Sequence, residues 1–146
     1  MKKVIFYFTL LLLLSCNSIE KSNLDKNINP NACRINGTIL SIEKSFESSG
    51  PCVNHLCTAS VLVNTIVSSG FSFNHPFAKS DTIKIKFEFT LDETTKDMFP
   101  NLTKSFPGLK VGDSFIGDVE SIETIKFNKK ETDSFSYKIF NYDKIK

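Results

Sequence analysis

Cys52, His55 and Cys57 stand close together in the turn-rich stretch Gly50-Pro51-Cys52-Val53-Asn54-His55-Leu56-Cys57, with Cys33 upstream. Three chemistries are open to such a set. Thiolates and an imidazole suit zinc, with Cys33 as a fourth ligand, although the Cys-x2-His-x-Cys spacing is not that of the common paired zinc knuckles. Either thiol could act as a nucleophile if His55 or His75 took its proton, but such pairs need hydrogen-bond geometry and usually a third orienting group. The thiols could instead join each other in a structural disulfide. No G-x-S-x-G, H-E-x-x-H, C-x-x-C or P-loop pattern stands in the chain to favour catalysis, and nothing in it asks for a cofactor.

A second group follows in Gly70-Phe71-Ser72-Phe73-Asn74-His75-Pro76-Phe77. Phe71, Phe73 and Phe77, with His75 among them, could offer a stacking platform to a sugar or a base. The plainer reading has the rings fold back to close the core, as befits a chain with 14 phenylalanines and no tryptophan. Lys84, Lys86, Lys104, Lys129 and Lys130 read as solvated faces or edge protection. Asp92, Glu93 and Asp97 read as carboxylates near a helix start, where the helix dipole favours them.

The elements that must position these residues are strands. From Thr82 to Leu91 the alternation is unbroken, with Ile83, Ile85, Phe87, Phe89 and Leu91 on one face and Thr82, Lys84, Lys86, Glu88 and Thr90 on the other. Thr58 to Val67 puts Ala59, Val61, Val63, Thr65 and Val67 on one side, and Cys33 to Ile42 is β-rich around Gly37. A Val111-Gly112-Asp113 turn precedes a fourth strand, Ser114 to Ile125, where Gly117 marks a bend or bulge. The fifth, Ser134 to Tyr142, is reached through the polar 126–133 connection. Between the third and fourth strands, Met98, Phe99, Leu102 and Phe106 fall at roughly helical offsets, while Pro100 limits any helix to short pieces. Their apolar side chains would plug one end of a barrel.

Three strands, a short helical or irregular connection, then two strands is an order that resembles the OB-fold, the small five-stranded Greek-key barrel. The expected class is all-β, spanning residues 32–146 as one domain, with a β-sandwich of five to seven strands as the competing arrangement. The resemblance implies a binding surface on the second and third strands and on the 43–56 and 126–133 connections.

The amino terminus adds a location. Met1-Lys2-Lys3 is positive, Val4 to Leu14 is continuously apolar, and Ser15 stands just before Cys16. As a helix the apolar run would span about 17 Å, short of the ~30 Å hydrocarbon core, so it suits export and cleavage better than a permanent span. Leu13-Leu14-Ser15-Cys16 resembles the signal of bacterial lipoproteins. That resemblance implies removal of residues 1–15, diacylglycerol on Cys16 and acylation of the new amino terminus, two or three chains holding the protein to the membrane. Residues 16–31, polar and rich in asparagine, then read as a lipidated flexible tether. Asn17 stands where an Asp resembles an inner-membrane retention signal, which points to the outer membrane of the cell envelope.

Export changes two earlier readings. Removing residues 1–15 takes away two lysines and no acids, so the formal charge of +2 becomes zero and the electrostatic footprint of a nucleic-acid binder is missing. An oxidising compartment also makes disulfide pairing the default. Three bridges are open to Cys33, Cys52 and Cys57; the short loop favours Cys52 with Cys57, leaving Cys33 over. Together these features lead to the expectation of a lipid-anchored, non-catalytic binding or assembly module for an envelope protein or small ligand, with an envelope enzyme or metal-binding protein built on Cys52, His55 and Cys57 as the alternative.

Overall fold

The computed structural model describes residues 28–44, 49–74, 77–122 and 136–145. The signal region, Cys16, most of the tether, His75 and the 126–133 connection lie outside these residues. Five strands form: β1 (Ala32–Glu43), β2 (Thr58–Ser69), β3 (Thr82–Phe87), β4 (Ser114–Ile122) and β5 (Ser136–Ile145). A 3-10 turn, Pro51–Val53, is the one helical element among the described residues between β1 and β2.

Central β1 pairs with both β2 and β4, β2 pairs with β3, and β5 closes the ring between β3 and β4, so the sheet is a closed barrel in the order β1-β2-β3-β5-β4. β3 and β5 run parallel, and the other four pairings are antiparallel. This is the OB-like order expected from the sequence. Closure excludes the competing sandwich, which would need two separate sheets and four edges.

Period-two burial makes the core. Ile35, Ile39, Val61, Val63, Ile85 and Phe115 are almost wholly buried, together with Phe87, Val119 and Ile139. Gly37 leaves room for core side chains: a Cβ there would lie 2.7 Å from Val61 Cγ1 and 3.2 Å from the Phe115 ring. The pairing of β1 with β2 shifts register at Asn36/Gly37, and that of β4 with β5 shifts between Gly117 and Val119. The bulge foreseen at Gly117 is present, and such bulges tighten the curvature a five-stranded barrel needs.

β5 continues past the expected Tyr142 to Ile145, and β2 and β3 depart further. β2 continues to Ser69, but Thr65 and Val67, expected inward with Ala59, Val61 and Val63, are exposed. The cause is pairing: β3 accompanies β2 only from Thr58 to Leu62 and residues 80–81 bond Val63, so β2 beyond Val63 overhangs the barrel on β1. β3 stops at Phe87 instead of Leu91. Past that point the backbone takes other partners, Glu88 N–H donating to Ile139 O at 3.0 Å and Leu91 N–H to Leu56 O at 2.8 Å. The chain thereby leaves the ladder and crosses the barrel end.

No helix forms between β3 and β4, so Asp92, Glu93 and Asp97 do not stand at a helix start. A single turn closes from Phe99 N–H to Thr95 O at 3.0 Å just ahead of Pro100. The segment nevertheless plugs the barrel as expected. Phe106 stacks between Tyr142, at 4.8 Å, and Phe89, at 5.7 Å, while Phe99 meets Phe89 edge-on at 5.5 Å. Buried Thr94 fastens the plug: its hydroxyl accepts from Phe106 N–H at 2.7 Å and its own N–H donates to Phe106 O at 3.0 Å.

Candidate functional site

Gly50, at a φ of 86°, turns the chain into Pro51 and the short 3-10 turn that presents Cys52 to the barrel end. A positive φ of this size suits glycine and few other residues. Cys52 and Cys57 are joined in a disulfide and are both buried. Their sulfurs lie 4.0 Å from Phe87 O and 3.6 Å from Phe89 O, so the bridge caps the point where β3 leaves the sheet. While bridged, neither sulfur is a thiolate, and neither can ligate zinc or attack a substrate.

Cys33 is far from that loop. It lies near the start of β1, paired in register with Ser69 and Val119, whereas the loop follows the other end of the same strand. Burial pushes its thiol pKa up, a hydrogen bond from Ser69 opposes this, and the negative charge of Asp118 adds to the rise. The neutral thiol is a small buried hydrophobe. The four-ligand set of Cys33, Cys52, His55 and Cys57 is thus divided between a disulfide and the opposite end of the barrel. Among the described residues no group of three or more His, Cys, Asp or Glu side chains is placed to hold a metal.

His55 finds a partner the sequence did not suggest. Its Nδ1 lies 3.0 Å from Asp92 Oδ2, both side chains standing partly in solvent. Thr90 sets the carboxylate in place, its hydroxyl donating to Leu56 O at 3.3 Å and accepting from Asp92 N–H at 3.0 Å. The 49–57 loop and the 88–92 segment are thereby laced together. A His-Asp pair can orient an imidazole and move a proton, but nucleophilic catalysis also needs a hydroxyl or thiol within hydrogen-bond reach. Among the described residues His55 bonds to Asp92 and to no such group.

The outer face of β2 and β3 carries Thr58, Ser60, Leu62 and Asn64 on one strand and Thr82, Lys84 and Lys86 on the other. Its lysines stand beside carboxylates. Lys84 pairs with Glu43, and Glu88 takes Lys138 at 2.7 Å and Lys86 at 4.0 Å. Beside them the Asn64 amide donates to Thr38 Oγ1 at 2.8 Å and to Asn36 Oδ1 at 3.3 Å, and Thr38 Oγ1 meets Ser114 Oγ at 2.9 Å. No aromatic ring stands among the outward residues of β2 and β3, so this face lacks the stacking platform that OB-type barrels offer single strands.

The aromatic group of the 70–77 stretch is split. Phe77 is buried and meets Phe73 edge-on at 5.5 Å and Tyr137 at 5.3 Å, so these two rings close the barrel mouth. Phe71 remains 90% exposed. The structure therefore brings His55 into a site with Asp92, bridges Cys52 to Cys57, and separates Phe71 from Phe73; Cys16 and His75 lie outside the described residues.

Comparison of the chain with protein-family models, with curated proteins and with solved structures returned no significant match.

Proposed function

We propose that this protein is a lipid-anchored, non-catalytic binding or assembly module of the bacterial cell envelope. The observation that carries the reading is the apolar run behind Lys2 and Lys3 that ends in Leu13-Leu14-Ser15-Cys16. A chain so marked is exported, cleaved and acylated, and residues 16–31 then lead from lipid to a single closed domain. The disulfide between Cys52 and Cys57 fits an oxidising compartment. Asn17 after the anchor supports the outer membrane. The partner is an envelope protein or small ligand, met by the 43–56 and 126–133 connections. A folded barrel with charges paired on its face suits a scaffold or adaptor better than a polyanion receptor.

Two measurements test this reading. Metabolic labelling with an alkyne fatty acid is expected to mark the wild-type chain and to leave Cys16→Ser unmarked. Crosslinking in intact envelopes is expected to trap a discrete partner. Recovery of free monomer only, together with a turnover that Cys57→Ala or His55→Ala abolishes, would replace the module with an enzyme.

A further inference from the structure

We propose that the barrel end carrying Ile66, Val67 and Phe71 docks on the surface of the lipid bilayer that the Cys16 anchor enters. The proposal deepens the anchored reading above and rests on it. The three side chains are 43%, 52% and 90% exposed and fall within a few residues on the β2 overhang and the turn that follows it. Phe73 and Phe77, from the same stretch, turn into the core. Phe71 alone of the three rings is presented outward.

The path of the chain into the domain selects the occupant. Gly70 N–H donates to Ala32 O at 2.8 Å, Ser72 N–H to Pro30 O at 3.0 Å, and Ala32 N–H to Asn29 O at 2.9 Å. Residues 29–32 are thus strapped to the two neighbours of Phe71. A Cβ on Gly70 would lie 2.2 Å from Pro30 O, so the strap packs directly against the turn. From Cys16 to Ile28 the chain reaches at most about 40 Å when fully extended. Its lipidated end therefore confines the Phe71 end of the barrel to the neighbourhood of the bilayer, and confinement raises the effective concentration enough for a small apolar contact to persist. Phenylalanine and branched aliphatic side chains enter the boundary between headgroups and acyl chains. The mature chain is formally neutral, so apolar insertion, not attraction to anionic headgroups, drives the contact, and added salt leaves it in place.

The opposite end supplies the control. Val111, 62% exposed, lies in the turn before β4, with the neighbouring Gly112 N–H bonded to Ile39 O of β1 at 2.8 Å. The chain contains no tryptophan, so Phe71→Trp and Val111→Trp each create a single reporter at an exposed position that leaves the core untouched. The full acylated chain carrying each reporter is placed in phosphatidylethanolamine/phosphatidylglycerol vesicles with and without bromine on the acyl chains, after mass measurement of the peptide bearing Cys16. The reporter at position 71 is expected to emit at shorter wavelength and to be quenched about twofold by the brominated lipid, as for a ring at the acyl boundary, while the reporter at 111 is unchanged. Acylated protein whose position-71 reporter is quenched no more than that at 111 overturns the docking alone. Absence of acyl mass on Cys16 overturns the anchored reading, and the docking with it. A blue shift at position 71 that grows with the concentration of the Cys16→Ser protein, without vesicles, assigns the patch to a second copy of the chain and also overturns the proposal.

Discussion

Arg34 on β1 and Asp118 on β4 hold each other through two parallel bonds across the barrel wall, Nε to Oδ1 at 2.6 Å and Nη2 to Oδ2 at 2.8 Å. The two residues are register partners, and Asp118 sits where the pairing of β4 with β5 skips a residue. The Arg34 side chain is 9% exposed and the Asp118 side chain 25%. A fork-to-fork pair of this kind fixes geometry as well as charge.

Removing one side chain takes this fork away from the other charge. Breaking a fully buried pair costs roughly 3 to 5 kcal/mol, and the partial exposure of Asp118 reduces this to about 2 kcal/mol for Asp118→Ala. Urea unfolding of Asp118→Ala, Arg34→Met and the double variant measures it. The double variant is expected to lose less than the sum of the singles, because the introduced methionine fills the site without a charge to solvate. Strict additivity would show that the pair contributes nothing as a pair.

The disulfide makes a second, independent prediction. Closing so short a loop restricts the unfolded chain by about 2 kcal/mol in the chain-entropy model, and the Cys52→Ala/Cys57→Ala variant is expected to lose that amount. Thiol counting checks the covalent state directly. Without reductant, the native protein acylated on Cys16 is expected to be inert to a thiol reagent, since Cys33 is 2% exposed. Unfolding should release Cys33 alone if Cys16 is acylated, and two thiols if it is not.

The dependence of stability on pH has two arms of opposite sign. Asp113 accepts from Lys144 Nζ at 2.6 Å and from Lys110 N–H at 2.8 Å, and these bonds hold its carboxyl below its ordinary value. Its folded pKa lies below the unfolded one, so its contribution is present above about pH 4 and fades as pH falls through the folded value. Burial pushes Tyr142 up to about 12, and burial also raises Tyr137. A folded value above the unfolded one gives stability that is complete below pH ~10 and is lost as pH rises through the folded pKa. Denaturant midpoints across pH are expected to show both arms, with Asp113→Asn flattening the acid arm and Tyr142→Phe the alkaline one.

The barrel was legible from residues whose burial is decided by period alone. Ile83, Ile85 and Phe87 alternate with Thr82, Lys84 and Lys86, and no neighbour overrides them. Strand ends were less legible because they depend on where a partner strand stops: nothing in the spacing of Thr65 and Val67 reveals that β3 leaves β2 at Leu62. Helical offsets in Met98, Phe99, Leu102 and Phe106 marked the right plug and the wrong conformation, since packing on Tyr142 requires apolar residues but not a helix. In the loop, proximity along the chain foretold the bond between Cys52 and Cys57. The His55 contact with Asp92 and the Arg34 pair with Asp118 are long-range contacts between polar residues, and no pattern within a single strand encodes them. The match of Arg34 with Asp118 needed the register of β1 on β4.

Charge pairing on β3 leads to the sharpest expectation about what this barrel does not hold. OB-type barrels take single strands on the face of their second and third strands. In this protein Glu43 and Glu88 stand against Lys84 and Lys86 there and against Lys138 on neighbouring β5. Fluorescence anisotropy with a labelled single-stranded oligonucleotide is therefore expected to show no salt-dependent binding by the wild-type domain at physiological ionic strength. Replacing both acids, in Glu43→Gln/Glu88→Gln, takes these countercharges away from three lysines along one face, and weak binding is expected to emerge. Its slope of log affinity against log salt should be about −2, from ~0.7 per phosphate neutralised. Wild-type binding of that slope would mean that the glutamates yield to phosphate and that the face is an anion receptor after all. A double variant that stays silent would instead show that charge alone is insufficient where no ring on β2 or β3 stands outward to stack a base.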